Sequence, residues 1–150
     1  MKSFMFHIRR RVVPIVLTAI TVFMANCGSN SQSTQIVTFS DVHFNPFYDT
    51  SLFDALVTSP ADEWEAIFEG SGTTDLSTWG QEANYPLFKQ AINTACTQAD
   101  ETPFILFTGD ILGHGFNNAF YTLYGSEDET ALRAFILKTV TFFAQSVRSA

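Results

Sequence analysis

Two short apolar segments, each running into an acidic turn, constrain the fold of this chain more than any other feature of its sequence. Residues 35–40 (Gln-Ile-Val-Thr-Phe-Ser) lead directly into Asp41, and residues 103–108 (Pro-Phe-Ile-Leu-Phe-Thr) lead into Gly109 and Asp110. Runs that are rich in β-branched and aromatic residues and bounded by polar ones predict buried strands. We therefore predict two buried strands whose carboxyl ends carry polar side chains.

Helical patterns separate and follow these strands. A helix is predicted within residues 59–70, an amphipathic helix over 86–99, and a longer helix over 126–147. The longest of them begins with a capping box formed by Ser126 and Glu129. Apolar strands joined through helices predict an α/β fold with parallel strands that are covered on both faces.

The first 27 residues have the pattern of an export signal. Three arginines at positions 9–11 precede the uncharged residues 12–25, a run shorter than the about 20 residues that a membrane-spanning helix needs. The tetrapeptide ending in Cys27 resembles a bacterial lipobox, from which Asn26 departs, and residues 28–34 suit a flexible tether. We expect an exported protein, either a periplasmic or outer-membrane lipoprotein held at the membrane by lipid on Cys27, or a secreted protein.

The charge distribution excludes one class of partner. Four of the eight Lys and Arg residues lie within the first eleven positions, whereas all fifteen Asp and Glu residues lie beyond them. Beyond the export signal, the chain therefore has four basic and fifteen acidic residues. A protein with this net negative charge repels polyanions, so we expect no binding to nucleic acid and a preference for cations.

Polar residues that suit a metal site follow both predicted strands. The carboxyl ends of parallel strands meet at one edge of a sheet, so Asp41 and His43 are expected to lie near Asp110. Asp41 and His43 are two positions apart and would point to one side if the extended geometry continued. One imidazole and two carboxylates suit a divalent cation. Gly109 would let the backbone approach the metal without a side chain in the way.

These residues resemble a known enzyme family. The Asp-x-His motif at 41–43 and the Gly-Asp pair at 109–110 are similar to the first two motifs of the calcineurin-like metallophosphoesterases. The segment 107–114 resembles more closely the acid sphingomyelinase-like phosphodiesterases within that family, as do residues 79–80 and 84–87. The likeness extends over roughly residues 35–120 and covers most of the chain beyond the export signal.

The resemblance implies a four-layer α/β/β/α sandwich that hydrolyses a phosphodiester or phospholipid-like substrate with two divalent metal ions. It implies zinc, and mixed nitrogen and oxygen ligands also accept iron, manganese or cobalt. Asp41 and His43 would hold the first ion, Asp110 would bridge both ions, and His114 would protonate the leaving oxygen. The family's further Asn-His pair and two His segments are missing here. We therefore expect residues 35–150 to be the N-terminal part of a larger domain, which lacks the downstream ligands of the second ion and is inactive alone.

Two other functions fit the same residues. The chain could be a phosphomonoesterase or nucleotide hydrolase on the same scaffold, or a non-catalytic surface lipoprotein that binds a lipid or glycan. The aromatic residues that follow the first motif, Phe44, Phe47 and Tyr48, are candidates for a substrate-facing rim, with core packing as the alternative. For His114, which lies between two glycines, the alternative is an exposed loop residue without a role in catalysis.

Overall fold

The computed structural model of the protein describes residues 36–99 and 104–150. The predicted export signal at 1–27, the tether at 28–34 and the lipid anchor at Cys27 lie outside the described residues. Those that are described belong to one compact unit of the chain. Within these two ranges, no helix is both long and apolar enough to cross a membrane.

The two predicted strands are present and parallel. β1 (Val37–Phe39) pairs with β2 (Ile105–Phe107) in a two-stranded sheet, in which Phe39 lies opposite Phe107. Together with the surrounding helices, this sheet gives the described chain a mixed α/β fold of the predicted class.

Only one face of this sheet is covered in the described part of the chain. Phe143 packs against Phe39 and Phe107 on the half-buried face, with ring centroids 6.2 and 4.6 Å apart. The central residues Thr38 and Leu106 are exposed on the other face, Leu106 by 46% of its surface. The predicted cover on both faces is therefore wrong for the described residues. An apolar run alone does not distinguish one covered face from two, whereas the alternating exposure along each strand does.

Five α-helices lie in the described part of the chain. They are α1 (Phe53–Thr58), α2 (Trp64–Gly70), α3 (Tyr85–Ala99), α4 (Phe116–Tyr124) and α5 (Glu129–Ser149).

The long helices match their sequence patterns better than the short ones. The helix predicted over 86–99 is confirmed as α3, and the one over 126–147 is confirmed as α5. The predicted capping box of Ser126 and Glu129 is wrong, because α5 begins at Glu129 itself. Its N-cap is Asp128, whose side chain accepts hydrogen bonds from two backbone N–H groups of the first turn. The helix predicted within 59–70 is divided between a 3₁₀ turn, Ala61–Glu63, and α2. α1 and α4 were not predicted from the sequence; they are only six and nine residues long, although α4 is amphipathic.

An aromatic core fills the space between the helices. Phe135 of α5 lies at its centre, and five aromatic rings have centroids within 6.0 Å of its own. These rings belong to Phe47, Phe53, Trp64, Phe116 and Phe120. Burial of so much aromatic surface around one helix makes α5 the main source of packing energy in the described chain.

Lys138 of α5 connects this central helix to the end of α1. Its Nζ donates hydrogen bonds to the carbonyl oxygens of Val57, at 2.6 Å, and Ser59, at 2.8 Å. The last carbonyls of a helix lack partners within the helix, and a cation near them also interacts favourably with the helix dipole. Lys138 therefore caps α1 from a position 79 residues after Ser59 in the sequence.

We expect Lys138→Met to lower the free energy of unfolding by about 1–3 kcal/mol, because two carbonyl groups lose their donor while the aliphatic part of the side chain is kept. Urea denaturation followed by circular dichroism measures the loss. Arg133→Met on the same helix is the matched control, because exposed Arg133 pairs only with Glu129 one turn earlier, a pair worth about 0.3–0.5 kcal/mol. Equal losses in the two variants would contradict the capping role.

Candidate metal centre

Backbone hydrogen bonds join the turns that follow the two strands. The backbone N–H of Asp41 donates to the carbonyl of Gly109 at 3.2 Å. The next two N–H groups, of Val42 and His43, both donate to the carbonyl of Asp110, at 2.9 and 3.3 Å. The pairing between β1 and β2 thus continues past the strand ends, and it fixes the backbone of one predicted motif against the other.

Phe44 extends this pairing to a third segment. It forms parallel β-bridges with Leu112 on one side and Ala83 on the other. The N–H of Ala83 donates to the carbonyl of His43 at 3.0 Å, so the segment before α3 lies beside the first motif. This contact brings Glu82 next to His43.

All three predicted metal ligands have a left-handed backbone. The φ angles of Asp41, His43 and Asp110 are 55°, 44° and 63°, and within ranges 36–99 and 104–150 they are the only non-glycine residues with positive φ. This conformation is sterically disfavoured for L-residues, costs of order 1–3 kcal/mol each and is concentrated at functional sites. The strain in this structure therefore coincides with the three residues that the sequence marks as metal ligands.

The three side chains meet at the carboxyl ends of the parallel strands as predicted, although the local backbone differs from the predicted one. His43 Nε2 lies 3.4 Å from Asp110 Oδ2 and 3.8 Å from Asp41 Oδ1. The extended geometry expected after β1 is wrong, since the backbone turns into the left-handed region at both Asp41 and His43. A Cβ at Gly109 would meet no atom within 4 Å, and its φ of 116° suits glycine. Its predicted role, to let the backbone approach a metal, stays a prediction.

The spacing of the ligand atoms fits one cation. One nitrogen of His43 and one oxygen each of Asp41 and Asp110 lie within 4.8 Å of one another. Ligands at about 2.0–2.2 Å from a tetrahedral ion are roughly 3.3–3.6 Å apart, close to the two distances measured from His43. The carboxylates are exposed to solvent while the imidazole is partly buried, so an ion could enter from the side of the two aspartates.

A second group, which sequence reasoning missed, surrounds Glu82. One carboxylate oxygen, Oε1, lies 2.7 Å from Nδ1 of His114, and the other, Oε2, lies 3.5 Å from Nδ1 of His43. The two imidazole rings stack with centroids 4.6 Å apart and 14° between their planes. Glu82 lies between the two segments used in the family resemblance, two residues from Gly80 and two from Asn84, and only the bridge at Ala83 shows that it reaches the site.

His114 lies at the solvent-exposed side of this group. The hydrogen bond and the negative charge of Glu82 raise the pKa of His114 above its ordinary value, and the charge of Asp110 adds to the shift. A raised pKa favours the imidazolium, so the ion pair with Glu82 is present at low pH and is lost as the pH rises through the shifted pKa. Its side chain is 80% exposed, which leaves it accessible to a substrate.

We expect Glu82→Gln to lower the pKa of His114 towards about 6.5, the value of an unperturbed imidazole, because both the charge and the charge-assisted hydrogen bond are removed. The ¹H NMR titration of the His114 ring protons measures this change. Glu65→Gln removes the same charge from α2 and is expected to leave the titration as in the original protein. An unchanged His114 titration in Glu82→Gln would contradict the contact.

The predicted aromatic rim is only partly present. Phe44 and Phe47 are buried in the aromatic core, which corrects their assignment to a rim and agrees with the alternative of core packing. The β-bridges on both sides of Phe44 hold its backbone inside the molecule, so its ring packs on Phe88 with centroids 4.6 Å apart. Tyr48 is 45% exposed, and its contact with a substrate stays a prediction.

No family model, curated protein or solved structure matches this chain. Its function is therefore inferred from the chemistry of the site itself and from the residues that carry the family resemblance. The donor set of this site, one imidazole and two carboxylates, is suited to divalent cations of intermediate hardness such as zinc, iron and manganese.

Proposed function

We propose that the chain is an exported, metal-dependent phosphodiesterase that resembles the acid sphingomyelinase-like enzymes. One observation carries this proposal: Asp41, His43 and Asp110 converge at the ends of two parallel strands, each in a strained left-handed conformation. Strain at three side chains that together suit a cation is more readily explained by binding than by folding. The two parallel strands are compatible with the sheet of a four-layer α/β/β/α sandwich, which is the fold that the proposal entails.

The proposal gives each residue a separate task. Asp41 and His43 would hold a first divalent cation, and Asp110 would contribute to holding that cation and a second one. Bound cations supply Lewis acidity and lower the pKa of a water nucleophile. The imidazolium of His114, kept protonated by Glu82, donates a proton to the leaving alcohol oxygen of the phosphodiester. A general acid needs access to the substrate, which the exposure of His114 provides.

The proposal is tested first by cation binding. Zn²⁺ titrated into the full chain, after treatment with a chelator, is expected to bind in a calorimeter. Asp41→Asn is expected to weaken that binding, because a carboxylate ligand becomes a neutral amide. Asp62→Asn, an equal charge change at an exposed position, is the control. Absence of Zn²⁺ and Mn²⁺ binding in the unaltered chain would overturn the proposed metal centre.

Hydrolysis of model esters separates the reaction classes. Activity is measured on a longer chain that carries the family's remaining ligand motifs. In that chain, bis(p-nitrophenyl) phosphate is expected to be cleaved in a chelator-sensitive manner, and more rapidly than p-nitrophenyl phosphate. A preference for the monoester would instead assign the chain to the phosphomonoesterases or nucleotide hydrolases. Turnover that is unaffected by the chelator would refute the metal-dependent mechanism.

One observation favours a non-catalytic binding function as the second candidate. An open groove beside α3 has a mainly apolar surface, and the side chains along it include hydroxyl and amide groups that suit the hydroxyl groups of a glycan. Its residues include Thr73, Gln90, Asn93, Thr97 and Gln98, with Tyr85 at one side. Binding of a glycan in this groove without any hydrolysis would support a surface lipoprotein of the binding class.

The proposed location rests on the sequence of residues 1–27. Their basic region, apolar region and lipobox-like end support export, with lipid on Cys27 as the anchor. The substrate of an exported phosphodiesterase at a membrane is a phosphodiester that is present outside the cytoplasm, such as a phospholipid headgroup.

A further inference from the structure

Glu82 contacts the side of His43 that faces away from the candidate metal centre. Nε2 of His43 is directed towards Asp41 and Asp110, whereas Nδ1 lies 3.5 Å from Glu82 Oε2. The other oxygen of the same carboxylate is held by His114 at 2.7 Å. Each oxygen of Glu82 thus faces the Nδ1 atom of one imidazole.

Two buried atoms in this arrangement have no hydrogen-bond partner. Among the side-chain atoms of ranges 36–99 and 104–150, only His43 Nδ1 and Glu82 Oε2 are both buried and unpaired, and they face each other. A buried polar atom without a partner costs about 1–3 kcal/mol. A movement of a few tenths of an ångström that brings these two atoms into hydrogen-bond distance is therefore favourable. An ionised carboxylate only accepts hydrogen bonds, and this contact therefore requires the proton of neutral His43 to be on Nδ1.

The backbone leaves room for this carboxylate. A Cβ at Gly113 would lie 3.1 Å from Glu82 Oε2 and 3.3 Å from Glu82 Cγ. The N–H of Gly113 donates to the carbonyl of Phe44 at 3.1 Å, which fixes position 113 against the segment that carries His43. Glycine at this position therefore accommodates the Glu82 side chain between the two histidines.

Hydrogen bonding explains this group better than a second cation site. Glu82, His43 and His114 could in principle bind an ion together. However, the 2.7 Å between Glu82 Oε1 and His114 Nδ1 is a direct hydrogen-bond distance, and two ligands of a tetrahedral ion are separated by roughly 3.3 Å or more. The carboxylate therefore binds the imidazole of His114 directly and faces that of His43.

We propose that Glu82 is a positioning residue that holds His43 in the Nδ1-protonated tautomer, so that the lone pair of Nε2 faces Asp41 and Asp110. Outer-shell carboxylates of this kind fix the orientation of a ligating imidazole and raise its basicity. His114 completes the arrangement because it occupies the second oxygen and prevents the carboxylate from rotating. The role of Glu82 in metal binding rests on the proposed function, whereas its effect on the tautomer does not.

The tautomer is measured without any metal. In long-range ¹H–¹⁵N spectra of the full chain at alkaline pH, where both imidazoles are neutral, His43 is expected to carry its proton on Nδ1. Glu82→Ala is expected to move the proton towards Nε2. Glu127→Gln, which removes an exposed charge outside the group, is expected to leave the spectrum as in the original protein. An Nε2-protonated His43 in the original chain, or the same tautomer after Glu82→Ala, would overturn the proposal.

Two milder variants keep the test decisive if Glu82→Ala fails to fold. Glu82→Gln retains one acceptor oxygen and is expected to hold the Nδ1 proton of only one of the two histidines. Gly113→Ala pushes on the Glu82 side chain without changing its charge and is expected to move the tautomer of His43 in the same direction. A His43 tautomer that does not respond to either variant would refute the positioning role.

Zn²⁺ affinity then separates this inference from the proposed function. Loss of Glu82 is expected to weaken Zn²⁺ binding by about 10- to 100-fold, the usual effect of removing an outer-shell partner. If the original chain binds no cation while its tautomer responds to Glu82→Ala, the proposed function is overturned and the contact between Glu82 and His43 is supported. Unaltered Zn²⁺ affinity in Glu82→Ala would overturn the positioning of Nε2 for metal.

Discussion

Asp110→Asn is expected to weaken Zn²⁺ binding more than the about 10- to 100-fold that loss of an outer-shell partner costs, and to abolish chelator-sensitive hydrolysis. Asp110 contributes the oxygen that lies 3.4 Å from His43 Nε2, and its amide analogue is neutral. The substitution isolates the charge, because asparagine has nearly the same shape and tolerates the left-handed backbone that Asp110 adopts. Calorimetric titration with Zn²⁺ measures the binding, and the diester assay measures the activity.

His114→Ala is the comparison for this substitution. His114 is exposed and contacts Glu82 through Nδ1, so its loss is expected to spare most of the Zn²⁺ affinity and to reduce hydrolysis by about 10²–10⁴-fold, the usual contribution of a general acid. Small and equal losses in the two variants would refute the assignment of Asp110 to the metal ions.

Phe135→Ala is expected to lower the free energy of unfolding by about 3–5 kcal/mol, since it leaves a cavity among the five rings that surround this side chain. Small domains are stable by only about 5–15 kcal/mol, so this loss removes a large part of the stability of the fold. Chemical denaturation followed by circular dichroism gives the difference between the two proteins.

Leu137→Ala provides the matched control on the same helix. Leu137 is two residues away, and 67% of its surface is exposed. Its replacement keeps the helix propensity of α5 and is expected to change the stability by less than about 0.5 kcal/mol. A similar loss in both variants would contradict the central position of Phe135 in the core.

The part of the candidate site that was predictable from the sequence lies directly after the strands. Parallel strands place their carboxyl ends together, so the pairing of β1 with β2 was enough to bring Asp41 and His43 near Asp110. The local backbone was not predictable in the same way. Each of these residues leaves the extended conformation, and that turn is stabilised by hydrogen bonds to carbonyl groups that lie about 70 positions away in the chain.

The missed features depend on contacts that sequence patterns do not record. Glu82 reaches His43 because Ala83 bridges Phe44, a pairing between single residues that has no periodicity of its own. The same pairing buries Phe44, which had been a candidate for the rim. Apolar residues directly after a motif are compatible with either location, and only the position of their backbone between neighbouring segments decides between them.

The left-handed backbone at Asp41, His43 and Asp110 affects how such a sequence can change over generations. Glycine adopts this conformation without the penalty that a side chain incurs, so selection for thermal resistance alone would favour glycine at all three positions. The two aspartates and the histidine found at these positions are the opposite of that trend. If the proposed cation binding is the reason for these side chains, a lineage that no longer needs it would lose them early, while its strands and aromatic interior persisted.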